Sequence, residues 1–380
     1  MLSKKICTLI LVIFSVSLVG CSLKNNEKTL STVDNAKTEA SKAYEEYEDL
    51  QGKDYGKIIL PQNIEPIELK KLFCFEKKKA EVGDSSEQSR MFFKTFFGDD
   101  YNESCISESG EDQYSYTSPD GGTANFGRGM PISAFRAGAS QTAAENEIVY
   151  DPSKDSEKVL ELNKGSCTVE ELCKMTDSFI SKAISPLYQG YDLFPYRVRY
   201  ISSNGGFNKI VKVIYAVRIN GVMFEEAFSP LFEVQDKGYY SVITNYSPCY
   251  VELGCDSPEN VGYMLNYLAR FDPAGAPQNE IISLKAAAEL LQNELADNLR
   301  LRFTEVRLMY CCKDTYPNLD PNINGDKEAM REKMEKEFSI QRSEYVPTWC
   351  FFLGNPDSVR TSIKINAVTG EITIDTEGPL

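Results

Sequence analysis

The segment Ile210–Phe224, IVKVIYAVRINGVMF, carries the fold class. Its first ten residues are rich in β-branched side chains, which suit a pleated, half-buried surface. Asn220-Gly221 is the pair favoured in type I′ turns, where both central residues need positive φ, so the strand should return through Val222-Met223-Phe224. Upstream, Tyr196–Tyr200 (YRVRY) alternates cleanly, and Tyr239–Thr244 and Cys249–Leu253 read as further short strands. Ahead of them, Thr168-Val169-Glu170-Glu171 has the form of a capping box, with Thr168 as N-cap and Glu171 at N3, opening a helix to about Ile184.

The same order recurs downstream. Ser283 caps a helix from Leu284 to about Leu295, and Leu301–Cys311 is strand-like. Tyr345–Leu353 (YVPTWCFFL) is a buried strand whose Pro347 should lie near its beginning or at an edge. Ser362–Ala367, Thr369-Gly370 and Glu371–Asp375 make a final hairpin. Upstream of the first repeat, GKIILPQ (56–62) is a short strand and Pro66–Leu69 begins a helical pattern. SRMFFKTFF (89–97) is a buried helix ended by Gly98, and QYSYTSPDGGTANFGRG (113–129) a β-hairpin around Pro119–Gly122. The expected fold class is α+β, with repeated units of one helix packed on an antiparallel sheet. The units span 55–150, 165–255 and 281–380.

The N-terminus gives an address. Lys4 and Lys5 precede an apolar run, Ile6–Val19, of the length of a secretory h-region and short of the about 20 residues a spanning helix needs. It ends in Leu18-Val19-Gly20-Cys21-Ser22, which resembles the lipobox of bacterial lipoproteins, where the cysteine thiol is lipidated and becomes the first residue. This implies a leader over 1–20, lipidation at Cys21 and retention on the extracytoplasmic face of the cell membrane, since a two-chain anchor holds where one chain is marginal. Removing Lys4 and Lys5 with no acid takes the formal charge from −15 to −17. Residues 21–54 are polar and read as a flexible tether that holds an acidic body off the membrane.

The helix ISLKAAAELL (282–291), the strand YVPTWCFF (345–352) and the hairpin IKINAVTGEI (363–372) together resemble a PepSY-type module, or the related YycI-like modules of secreted Firmicutes regulatory proteins. The resemblance covers about 281–375, interrupted by an insertion from Lys313 to Arg342. Across its length the chain is similar to clostridial lipoproteins of a domain-of-unknown-function family. The resemblance implies a non-catalytic protein that binds or restrains another envelope protein, such as a peptidase or sensor kinase, and it brings no catalytic residue.

Composition narrows the chemistry. The 380 residues, 42% apolar, can bury a substantial core, and they contain no histidine. Histidine triads, Cys-His dyads and HExxH zinc sites are therefore excluded. The negative charge and the lack of a basic patch argue against nucleic acid.

Beyond Cys7 and Cys21, nine cysteines remain: Cys74, Cys105, Cys167, Cys173, Cys249, Cys255, Cys311, Cys312 and Cys350. No spacing gives a zinc knuckle, Cys311 and Cys312 should face opposite sides of one strand, and Cys249 and Cys255 could pair only if Gly254 breaks theirs. Buried or free thiols are the default, with one or two disulfides as the alternative. Asp320–Asp326 resembles the first seven positions of a calcium loop, but Arg331 stands where the bidentate Glu belongs and Glu328 only partly replaces it.

No cofactor or metal is assigned. Paired carboxylates are the main catalytic option left, yet Asp99-Asp100 and Glu225-Glu226 read as solvated surface. SxxK occurs nowhere, Ser339 having Arg342 in the lysine position, and FGRGMP and PDGGT lack a phosphate-loop pattern. A membrane-anchored, non-catalytic protein with an envelope-protein partner is expected. The alternatives are a surface peptide- or glycan-binding protein and, behind it, a carboxylate-dependent hydrolase.

Overall fold

The computed structural model describes residues 36–69, 71–78, 85–110, 112–127, 132–139, 146–202, 209–225, 228–234, 240–246, 250–266, 268, 270–313, 344–354 and 361–376. In chain order, β1 (Lys37–Glu39), α1 (Tyr47–Leu50), β2 (Ile58–Ile59) and β3 (Leu72–Lys78) precede α2 (Ser85–Phe97). An antiparallel meander follows, β4 (Ile106–Gly110), β5 (Gln113–Thr117), β6 (Thr123–Gly127) and β7 (Ile132–Phe135), then β8 (Asn146–Tyr150), β9 (Val159–Leu162) and β10 (Gly165–Thr168). After α3 (Val169–Ala183) come β11 (Asp192–Ser202), β12 (Lys209–Ile219), β13 (Val222–Phe224), β14 (Phe228–Val234), β15 (Tyr240–Tyr246), β16 (Tyr250–Cys255), β17 (Tyr263–Asn266), β18 (Arg270–Gln278) and β19 (Glu280–Ile282). The last part holds α4 (Leu284–Glu294), β20 (Leu301–Arg302), β21 (Glu305–Cys312), β22 (Glu344–Leu353), β23 (Thr361–Asn366) and β24 (Ile372–Thr376).

The expected repetition of helix-on-sheet units is not the architecture. The described residues are mostly strand, with four α-helices, and one 16-stranded mixed sheet runs β18-β3-β22-β21-β13-β12-β16-β17-β7-β6-β5-β4. Branches carry β11 and β8 beside β12, and β23 and β24 beside β22. The boundaries expected near 150–165 and 255–281 do not interrupt this sheet. The first unit's β7 pairs with β17, its β3 pairs with β18 and β22, and β13 joins β21 in parallel register. Strand pairing satisfies backbone groups wherever edges meet, so neighbouring apolar strands fuse into one sheet instead of closing as separate modules.

The tether is also corrected over its second half. Thr38 pairs with Ile281, Ala43 and Leu50 are buried, and the Tyr44 ring meets the Trp349 ring edge-on at 5.0 Å between centroids. Pro66–Leu69 forms no helix. Residues 1–35, which include the leader and Cys21, and the Asp320–Asp326 loop with Glu328 and Arg331 lie outside the described residues, as do Glu226, Cys249, Ser339 and Arg342.

Local chemistry elsewhere follows the residues. Asn220 and Gly221 take φ of 54° and 84° between β12 and β13. The capping box at α3 is complete: Glu171 N donates to Thr168 Oγ1 at 3.1 Å and Thr168 N donates to Glu171 Oε2 at 2.9 Å. Ser283 Oγ accepts from Ala286 N at 3.1 Å at the start of α4. On one flank of β22, β3 pairs at Glu344 and Tyr345, whereas β23 takes over from Thr348. Pro347 falls at that change of neighbour, where its missing N–H leaves no ladder bond broken, while its carbonyl accepts from Ala367 N.

One face of the sheet packs on the helices to form the main core. Val211, Val213, Tyr215 and Val217 of β12 point into it, and the Phe96 ring of α2 meets Phe179 of α3 at 6.0 Å.

Candidate functional site

The other face of the sheet carries the alternate residues and is dense in charge for so buried a surface. Three ion pairs on it have little exposure. Lys364 of β23 reaches Glu225, just after β13, with side chains 11% and 6% exposed. Lys212 Nζ lies 3.0 Å from Glu252 Oε1, an oxygen that also accepts from Tyr263 OH at 3.0 Å. Arg199 grips Glu147 with two nitrogens, Nη2 at 2.7 Å from Oε2, and so ties β11 to β8. Burial and the charge on Glu252 push the Tyr263 phenol far above its ordinary pKa, which keeps it the donor in that bond. Toward β11 the face becomes aromatic and cationic: the Arg218 guanidinium sits 3.9 Å from the Phe194 ring centre and Arg197 4.7 Å from that of Tyr196.

Glu225 therefore corrects the expectation of a solvated surface acid, because the parallel β13–β21 contact carries it under the sheet's second face, where Lys364 makes its charge tolerable. Asp99 and Asp100 do sit exposed in a turn after α2. Each of the buried carboxylates Glu225 and Glu252 is held by a lysine. None of the described cysteines forms a disulfide. Cys311 lies on the second face and Cys312 packs against the main core, as one strand requires. Cys255 is fully buried, and Cys173 is pushed up to about 12 by burial, so both are core thiols in character. Among the described residues no group of three or more Cys, Asp or Glu side chains is arranged to hold a metal ion, and no helix is long and apolar enough to cross a membrane.

What sequence reasoning missed is the sheet's outer edge. β8 pairs only with β11 among the described residues, which leaves its far side without a strand. Its central Ile148 is 51% exposed, and Val159 on nearby β9, whose Glu161 carbonyl accepts from Tyr200 OH, is 64% exposed. Two other margins are blunted. β18 contains Pro273 and Pro277 and a register break, and β4 shows Ser107 and Glu108 to solvent. β8, Asn-Glu-Ile-Val-Tyr, has neither proline nor lysine to discourage pairing, and its one acid is taken up by Arg199. The alternation in NEIVY was the available signal, at the end of the first expected unit.

No known family, curated protein or solved structure matches the chain.

Proposed function

We propose that this chain is an exported, lipid-anchored, non-catalytic protein that captures another envelope protein by taking an extended segment of it onto β8. The observation that carries this reading is the margin at Asn146–Tyr150, which among the described residues pairs on one side alone, with Ile148 half exposed on it. Strand addition draws affinity from main-chain hydrogen bonds and selectivity from the side chains on either side, and an edge without proline or lysine is its usual substrate. Lys4, Lys5, the apolar run Ile6–Val19 and Cys21 support the address, and the acidic body supports a partner held by backbone and apolar contacts instead of anionic lipid.

A photocrosslinking residue at position 148, introduced in the native membrane, should join the protein to a discrete partner, and one at Ser107 on the β4 margin should not. Ile148→Asp should abolish recovery of that partner. Equal crosslinking from both margins, or specific retention on a glycan array with no protein crosslink, would replace strand capture by the ligand-binding alternative. Cys21→Ser should remove lipid labelling and release the protein from membranes; unchanged labelling would contradict the anchor.

A further inference from the structure

Four sulfur-bearing side chains meet on the second face of the sheet. Met223 of β13 lies opposite Met309 of β21, Cys311 follows Met309 by two residues on the same face, and Cys350 comes from β22. They form one buried cluster with Ala216 and Phe352, against which Phe194 and Tyr196 pack. The Cys311 and Cys350 sulfurs are 3.4 Å apart. That exceeds the roughly 2.05 Å of a disulfide, and the two residues are not cross-strand partners, since Cys311 faces Val346 and Cys350 faces Arg307. The two sulfurs thus lie close together without a bond, near enough for one metal ion to reach both.

We propose that Cys311 and Cys350, supported by the thioethers of Met309 and Met223, bind a monovalent copper ion, Cu(I). The donor set selects the ion. Thiolate and thioether sulfurs are soft and favour Cu(I), whereas calcium and magnesium need several oxygens, and Glu225, the carboxylate that interacts with Cys311, is already held by Lys364. Zinc is a poorer fit, because its closed sites take four thiolate, imidazole or carboxylate donors and this cluster offers two. Binding replaces two S–H bonds by two Cu–S bonds: two thiols and one Cu(I) give a copper bis-thiolate of charge −1 and two protons. Phe352 and Tyr196 restrict water around the cluster. Because two protons leave, affinity must rise with pH.

The test is a Cu(I) titration of the full chain, reduced and under argon, against bathocuproine disulfonate. The parent should withhold one equivalent from the chelator, Cys311→Ser/Cys350→Ser should withhold none, and Cys167→Ser/Cys173→Ser should retain it. X-ray absorption of the loaded parent should show sulfur scatterers alone. A parent that surrenders all its copper, or a Cys311→Ser/Cys350→Ser variant that keeps the equivalent, overturns the proposal and leaves the cluster as apolar packing. Should that variant fail to fold, Met223→Leu/Met309→Leu, which conserves volume, decides with alkylation mapping of the parent in urea pulses. Copper must protect Cys311 and Cys350 in the parent, and less so in the leucine variant. Equal protection in the two, or none in the parent, refutes the four-sulfur site.

Discussion

Gly254 tests the account of the second face most directly. It lies in β16 opposite Tyr263 of β17, and the tyrosine ring lies across the space where a side chain would be. A Cβ at 254 would come within 2.5 Å of Tyr263 Cδ1 and closer still to Cε1 and Cζ. The ring cannot yield easily, since Tyr263 is fully buried and its hydroxyl is committed to Glu252. Forcing an extra methyl into a packed site costs about 1–3 kcal/mol, and losing a hydrogen bond to a charged acceptor about 1.5–3 kcal/mol. Alanine's lower backbone entropy in a strand returns roughly 0.5–1 kcal/mol. Gly254→Ala should therefore destabilise by about 2–5 kcal/mol in urea unfolding followed by far-ultraviolet circular dichroism. In the Tyr263→Leu background the same substitution should cost under about 1 kcal/mol, so the cycle should show a coupling of at least about 1 kcal/mol. A Gly254→Ala protein within about 0.5 kcal/mol of the parent, or an equal cost in both backgrounds, would refute the reasoning.

Other outcomes follow from the same contacts. Lys364→Met strands Glu225 in a buried site and should cost about 3–5 kcal/mol, most of it recovered by adding Glu225→Leu, as chemical denaturation will show. Thr168→Ala removes the cap of α3 and should cost about 1 kcal/mol by the same assay. The Gly56 amide and Arg300 hold Asp54 below its ordinary pKa, so its contribution is complete above about pH 4 and lost as pH falls through the lower folded value; Asp54→Asn should flatten the acid limb of a stability–pH curve. Cys167, Cys173 and Cys255 are raised by burial and should resist iodoacetamide at pH 8 until urea unfolds the chain, as peptide mass mapping will reveal.

Features governed by a few adjacent residues were legible in the sequence. Asn220-Gly221, the Thr168–Glu171 box, the Ser283 cap and the Pro119–Gly122 hairpin each rest on turn or cap chemistry complete within a short window. What was illegible depends on residues far apart. Glu225 reads as solvent-facing because Lys364, its partner, is 139 positions away. Met223 and Met309 read as ordinary strand residues until β13 and β21 lie side by side. Residues 37–54 read as a tether because their composition is polar, yet Ala43, Tyr44 and Leu50 are enough to seat the segment on the core. The repeated helix-then-strands order was real in each local window, but order along a chain does not say which strands will become neighbours.

The position of β3 has a consequence for how the chain folds. Residues 72–78 are the first strand of the large sheet to be made, yet their partners are β18, near residue 275, and the start of β22, near 345. Contacts of such separation raise the relative contact order and slow folding, because a long loop must close before any of them forms. Until the C-terminal third has emerged, β3 would stand with both edges bare, the condition in which unfinished sheets aggregate. A chain built this way gains little from folding as it is made, and deleting β22 onward would do more than trim its end: it would remove one of the neighbours its first strand needs.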